Sequence, residues 1–255
     1  MNWNIFDKIY CIHYLPYKER FEDIKKTLSG LNISQQSNFE WFFTTKNKIF
    51  NYLFDILRDK HILTCMKEQE SNGFEGYIKN DKVFNLAINT YNLINMAYLL
   101  DYQRILIIED DITPLKDKVL FNNIMENIPL DYNIISMEYW FRLKWNKDSC
   151  YKDDRKINDY FYHVINERLV NAGFVVYDRV GMKHFLDTMN QYFWNSDYCI
   201  PFQNLYDDWG IKRCVSKVPV VIQKQNYTMN HIQNMKWNYG QIGVDINNYD
   251  GYSSN

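Results

Sequence analysis

Three consecutive carboxylates, Glu109, Asp110 and Asp111, stand directly after an apolar run, Arg104 to Ile108, and before a turn closed by Ile112-Thr113-Pro114. Buried acids without partners cost several kcal/mol each, so such a triple demands cations, donors or water. A divalent metal answers that demand. Carboxylate oxygens suit Mg²⁺ or Mn²⁺, ions that complete their shells with water and substrate phosphates, and a nucleotide diphosphate is the natural bridging ligand. In an extended segment alternate side chains share a face, which places Glu109 and Asp111 on one side and Asp110 on the other. One of these faces could hold the metal, with Glu109 and Asp111 the preferred pair, while the other fixes the loop or touches a ribose. A solvated acidic turn is the alternative.

The elements that must position this turn follow from hydrophobic pattern. Lys8 to Leu15 has strand length and stops at Pro16, and Lys18 to Leu28 has helical spacing and ends at Gly30. Phe39 to Thr44 reads as a strand, Lys48 to Arg58 as a helix, and Val83 to Leu100 as a longer helix. Arg104 to Ile108 has no polar break, as expected of a parallel strand buried on both faces. A helix near Val119 to Glu126, strands at Asn133 to Met137, Gly173 to Tyr177 and Val218 to Ile222, and a helix from Arg179 to Met189 complete the pattern. Lys144 to Asp159 reads as a surface loop. Alternating strands and helices predict an α/β fold with a mostly parallel central sheet flanked by helices, whose ligands bind beyond the strands' carboxyl ends. One domain over residues 1–246 and a loose polar tail over 247–255 is the simplest division.

Composition removes several function classes. The 255 residues carry 29 basic and 31 acidic side chains, a formal net charge of -2, so no global field draws a polyanion and nucleic acid is not the expected partner. Five scattered cysteines lack zinc-ligand spacing and fit reduced thiols in a cytoplasmic setting. No stretch approaches the roughly 20 apolar residues of a membrane span, which leaves a soluble chain or one touching the inner membrane face peripherally. Aromatics reach 17% with 21 Tyr, a bias expected of AT-rich coding and not read as a sugar-stacking surface. There is no Gly-x-Ser-x-Gly elbow, no Gly-rich phosphate loop and no His-Glu-x-x-His pair.

Three blocks resemble family 25 glycosyltransferases, the lipopolysaccharide and collagen galactosyltransferase group. Lys8-Ile-Tyr-Cys-Ile-His-Tyr-Leu-Pro-Tyr-Lys-Glu-Arg20 is similar to the family's opening strand and loop. Leu100 to Ile112 resembles its metal-site segment, with Glu-Asp-Asp as an Asp-x-Asp variant. Asn171 to Leu186 resembles its later strand and helix. The departures are Asn85-Leu-Ala-Ile-Asn-Thr90, where the family usually has Gly-Cys-x-x-Ser-His, and His13-Tyr14 in place of Ile-Asn.

The resemblance implies a GT-A fold, related to the Rossmann arrangement, and metal-dependent transfer of a hexose such as galactose from a UDP-sugar to a glycan or glycolipid acceptor of bacterial surface polysaccharide. Family analogy suggests inversion, which needs a base to take the acceptor's proton. Asp207-Asp208-Trp209 is similar to the acidic-aromatic segment that supplies it, with Asp208 preferred over Asp207, a helix cap as the alternative, and Asp197 ranked below. His231 resembles the late metal-ligating histidine of GT-A enzymes, and Lys236 the lysine that meets the phosphates. Arg20 is expected to pair with phosphate or hold the loop. Asn171 and Gly173 fall where the family's chain passes the donor sugar, although Gly173 could equally ease strand packing. The competing readings are a sugar-phosphate nucleotidyltransferase, disfavoured by a first loop without glycine, and a catalytically degenerate glycan-binding module. Donor sugar, acceptor and oligomeric state stay open at the level of sequence.

Overall fold

Apolar runs without a polar break become the central strands of a seven-stranded sheet in the computed structural model, which describes residues 2–45, 81–141, 152–164, 169–170, 173–192, 210–224 and 245–250. Its strands, in chain order, are β1 (Lys8–Tyr14), β2 (Phe39–Thr44), β3 (Arg104–Glu109), β4 (Ile112–Pro114), β5 (Ile134–Ser136), β6 (Trp140–Phe141), β7 (Phe161–His163), β8 (Leu169–Val170), β9 (Phe174–Asp178), β10 (Arg213–Ser216) and β11 (Val221–Gln223). The helices are α1 (Lys18–Gly30), α2 (Asp81–Leu99), α3 (Lys118–Glu126) and α4 (Arg179–Tyr192). The main sheet runs β2-β1-β3-β9-β5-β10-β7, and two small pairs, β11-β4 and β6-β8, stand beside it.

The expected α/β class is what these residues form. Parallel pairing joins β1 to β2, β1 to β3 and β5 to β10, whereas β9 runs antiparallel to both β3 and β5, and β7 antiparallel to β10. Both faces are covered. Ile105, Ile107, Val175 and Tyr177 pack with Ala97 of α2 and Phe185 of α4, while Leu106, Ile108 and Val176 pack with Leu28 of α1 and Phe121 of α3. Alternate residues of one strand thus feed two cores, which is why Ile-Leu-Ile-Ile carries no polar position.

Strand and helix bounds differ from the sequence reading in instructive places. Gly30 is still helical, and Asn32 adopts the left-handed conformation that ends α1 (φ 56°), a role Asn fills through its local hydrogen bonding. The strand expected from Val218 begins only at Val221, past Pro219, and β10 was not foreseen because only Cys214 and Val215 of its four residues are apolar; Arg213, which opens it, is nonetheless buried. The residues expected to open a loose tail are docked: Tyr249 is fully buried, bridges to Leu115 and donates its hydroxyl to Pro219 O at 2.7 Å. The helix expected over Lys48 to Arg58 lies outside the described residues. From Lys152 onward, the expected surface loop is a 3-10 turn at Asp153–Arg155 with mostly exposed side chains.

Free thiols occur at Cys11 and Cys214, both buried. Burial pushes both pKa values well up, so neither is a reactive nucleophile. No helix among the described residues is long and apolar enough to cross a membrane.

Two stability experiments test this packing. The N–H of Gly181 bonds the Asp178 carboxylate that caps α4, and a Cβ there would lie 2.3 Å from the carbonyl oxygen of Asn133, a backbone atom that cannot swing aside. Gly181→Ala is expected to lose about 1–3 kcal/mol in urea unfolding. His184, buried on α4, has its pKa pushed down to about 4, first by burial and then by the charge of Arg213. Since an unfolded histidine titrates near 6.5, the unfolded chain binds more protons between the two values. Stability therefore falls as pH drops from about 6.5 to 4, by up to about 3 kcal/mol from this group. His184→Leu should flatten that part of the stability-pH curve.

Candidate active site at the carboxyl ends of strands 1 and 3

Strand β1 is followed by β2 on one side of it, and the chain leaving β3 goes on to β5 on the other, so the connections leaving β1 and β3 part at the carboxyl ends of these two parallel strands. That is the position where open α/β sheets bind ligands. Here β3 ends at Glu109, and Asp110 and Asp111 form a turn before β4. Asp7 sets the depth of β3 by accepting the Gln103 and Arg104 amides at 2.6 and 2.8 Å. The acidic turn is thereby held opposite the end of β1, with Glu109 in register with Ile12.

Asp110 is the hub. His13 Nδ1 donates to its Oδ2 at 2.6 Å, the Tyr14 amide reaches the same oxygen at 3.4 Å, and Arg20 Nη1 donates to Oδ1 at 3.1 Å. His13 is buried, its ring 4.9 Å from that of Phe21 and edge-on to Phe43 at 6.2 Å. Arg20, in the first turn of α1, lies over the Tyr17 ring at 4.8 Å and places Nη2 3.6 Å from Asp111 Oδ2. One guanidinium thus reaches two of the three acids. This corrects the expectation that Asp110 and Asp111 face opposite ways: alternation holds only in extended backbone, and the chain turns at Asp110.

On its far side the turn is fixed by the second small sheet. The Lys224 amide donates to Asp111 O at 2.5 Å, and Lys224 Nζ donates to Asp23 Oδ2 on α1 at 2.5 Å. β4 pairs with β11 and is bonded to the chain's end through Thr113 Oγ1 to Asp250 O and Asp250 N to Pro114 O. Sequence reasoning did not find His13 as a partner of Asp110, nor Lys224. His13 stood out in the sequence only as part of the His13-Tyr14 departure from the family's Ile-Asn.

Of the other sequence candidates, Gly173 immediately precedes β9. Its carbonyl accepts the Glu109 amide at 3.0 Å and its N–H donates to Glu138 Oε2 at 2.8 Å. A Cβ at Gly173 would sit 2.7 Å from that carboxylate oxygen and 3.1 Å from Ile112, so the close-packing alternative describes this glycine. Glu138 itself, fully buried, was not anticipated; a lone acid in Ser136-Met-Glu-Tyr carries no periodic signal. Asn171, Asp197, Asp207, Asp208, His231 and Lys236 lie outside the described residues. Among the described residues no three His, Cys, Asp or Glu side chains form a metal-binding group.

No protein-family model matches the chain, and a search of curated proteins finds no match. Among solved structures, the chain is similar to an active-site mutant of LgtC, a glycosyltransferase, at 11% identity over 82% of this chain and 72% of that one, with a TM-score of 0.38.

Removing the hub is expected to damage the fold more than removing its neighbour. Asp110→Ala leaves the His13 imidazole and the Arg20 guanidinium without their shared acceptor, a loss of about 3–5 kcal/mol for a broken buried pair. Asp111→Ala keeps that network and should cost clearly less in the same urea titration. Equal losses would show that Asp110 has no special structural part.

Proposed function

We propose that this chain is a metal-dependent glycosyltransferase of GT-A type that moves a hexose, galactose being the family precedent, from a UDP-sugar to a glycan or glycolipid acceptor in bacterial surface polysaccharide. The observation that carries the reading is the division of the acidic triple. Asp110 is committed to His13, Tyr14 and Arg20, which braces the turn carrying its sequence neighbours Glu109 and Asp111, although Arg20 also reaches Asp111 at 3.6 Å. The residues of this turn fit a hard divalent ion, since their donors are carboxylate oxygens. Glu109 and Asp111 would hold Mn²⁺ or Mg²⁺, with substrate phosphate, water and His231 as the further ligands. When bound, the ion would offset the negative charge that builds on the departing nucleotide diphosphate.

The chain's own groups take the remaining tasks. Arg20 holds the acids at the start of α1, and its partly exposed edge stands near where a diphosphate would approach. Lys236 is the other cation assigned to the phosphates, and Asn171 is assigned to the donor sugar. Asp208, or Asp207 beside it, takes the proton of the acceptor hydroxyl. The family 25 assignment rests on the three motif blocks. The nucleotidyltransferase reading loses ground because the connection from β1 to α1 is only Leu15-Pro16-Tyr17, closed by a Tyr17 amide bond to Tyr14 O at 2.9 Å.

Mn²⁺ and UDP together should raise the melting temperature above what either does alone, and Asp111→Ala should abolish the joint shift. Asp208→Asn should keep the shift yet lose turnover by about 10²-fold or more, as removal of a general base does. A screen of nucleotide sugars for slow hydrolysis in Mn²⁺ identifies the donor. Absence of any nucleotide-dependent shift would overturn the reading.

A further inference from the structure

We propose that Glu138 is a positioning residue of this site, holding Glu109 in place through Gly173; its consequence for metal binding rests on the function proposed above. Two hydrogen bonds make the connection: Gly173 donates its amide to Glu138 Oε2 at 2.8 Å, and Glu109 donates its amide to Gly173 O at 3.0 Å. The sheet's topology permits such a link here. β9 runs antiparallel between β3 and β5, so the residue just ahead of its first position lies between the carboxyl ends of both neighbours.

Ladder pairing of β3 with β9 ends at Ile108 opposite Phe174, and one residue later the chain turns into Asp110. The Glu109 amide is thus the last backbone group tied to β9 before the turn. On the other flank, Asp110 is tied to β1 and α1. Glu109 is fixed from one side by Gly173 and from the other by its neighbour's network.

Burial of Glu138 is the second observation. Its side chain is 0% exposed, and a fully buried carboxylate is a poor choice for stability alone, since an apolar side chain of similar size packs without the desolvation cost. It also occupies the volume that a side chain at position 173 would need, with Oε2 2.7 Å from a Cβ built there. Glycine and glutamate are therefore fitted to each other. The pairing fixes the peptide on the amino side of the Gly173 Cα, and through that Cα the position of the carbonyl that receives the Glu109 amide, as outer-shell partners orient metal ligands.

The variants separate reach from charge in the full-length protein. Glu138→Gln keeps an oxygen acceptor at the same distance; Glu138→Asp keeps the charge but withdraws it by one methylene; Glu138→Ala removes both. Hydrogen exchange of the Glu109 amide and Mn²⁺ affinity by calorimetry are read for each. Gln is expected to match the natural protein in both, whereas Asp and Ala speed exchange at Glu109 and weaken Mn²⁺ binding about tenfold, with the β1 amides unchanged.

Should Ala fail to fold, the contrast between Gln and Asp decides. Unchanged exchange in Asp, or a Gln variant as impaired as Asp, overturns the positioning role. A natural protein that binds no Mn²⁺ overturns the metal reading instead, and the exchange measurement still decides the part played by Glu138.

Discussion

The carboxylate of Asp110 is the interaction on which this end of the molecule depends. It is 8% exposed, and it takes bonds from a histidine inside β1, from the backbone at the end of β1 and from an arginine in the first turn of α1. A carboxylate so enclosed is tolerable only when cations or dipoles surround it, and each partner here comes from a segment more than 85 residues away in the chain. Folding satisfies all of them together or none. The ends of β1, α1 and β3 are consequently set relative to one another by charge as well as by the sheet. Neighbouring acids inherit that rigidity, which is the condition for ligands to be held at fixed positions without reorganisation.

The same logic explains the small sheet outside the main one. A turn of three acids repels itself, and backbone ties must hold what electrostatics would open. Asp111 O is bonded to the Lys224 amide, β4 pairs with β11, and Lys116 takes Asn248 O at 2.8 Å through its amide. Tyr249 seals this layer from below. Polar residues near the end of the chain, which look dispensable in isolation, therefore reach the functional edge through β4.

What was legible in sequence follows the range of the interactions. β1, β3, α1 and α4 announce themselves through local periodicity, and the acidic triple stands out because it follows a strand apolar on both faces. Direction was not legible. Nothing within Phe-Val-Val-Tyr states that β9 runs against its neighbours, since a strand buried on both faces reads alike either way. β10 was hidden because only Cys214 and Val215 of its four residues are apolar, and the buried setting of Arg213 depends on residues distant in sequence. The roles within the site were the least legible: Asp110 is set apart from Asp111 by His13 and the Tyr14 amide, 97 and 96 residues earlier. Alternation along a strand failed to assign them because the backbone had already turned.

The donor set at this edge also bears on which ion it suits. Cys11 lies near the acids, and burial, with the charges of Asp110, Glu109 and Asp111, pushes its thiol pKa well up. His13 presents Nδ1 to Asp110 and packs its ring between Phe21 and Phe43. The Cys11 thiol is buried and the His13 ring is engaged with Asp110, so the metal proposed above would meet carboxylate oxygens from Glu109 and Asp111. Oxygen donors favour ions that share their shell with phosphate oxygens and water over zinc, which prefers sulfur and nitrogen in a closed tetrahedron. The burial that makes Asp110 a structural anchor and the burial that raises the Cys11 pKa arise from the same two strands, so one packing arrangement both braces the acidic turn and encloses the neighbouring thiol.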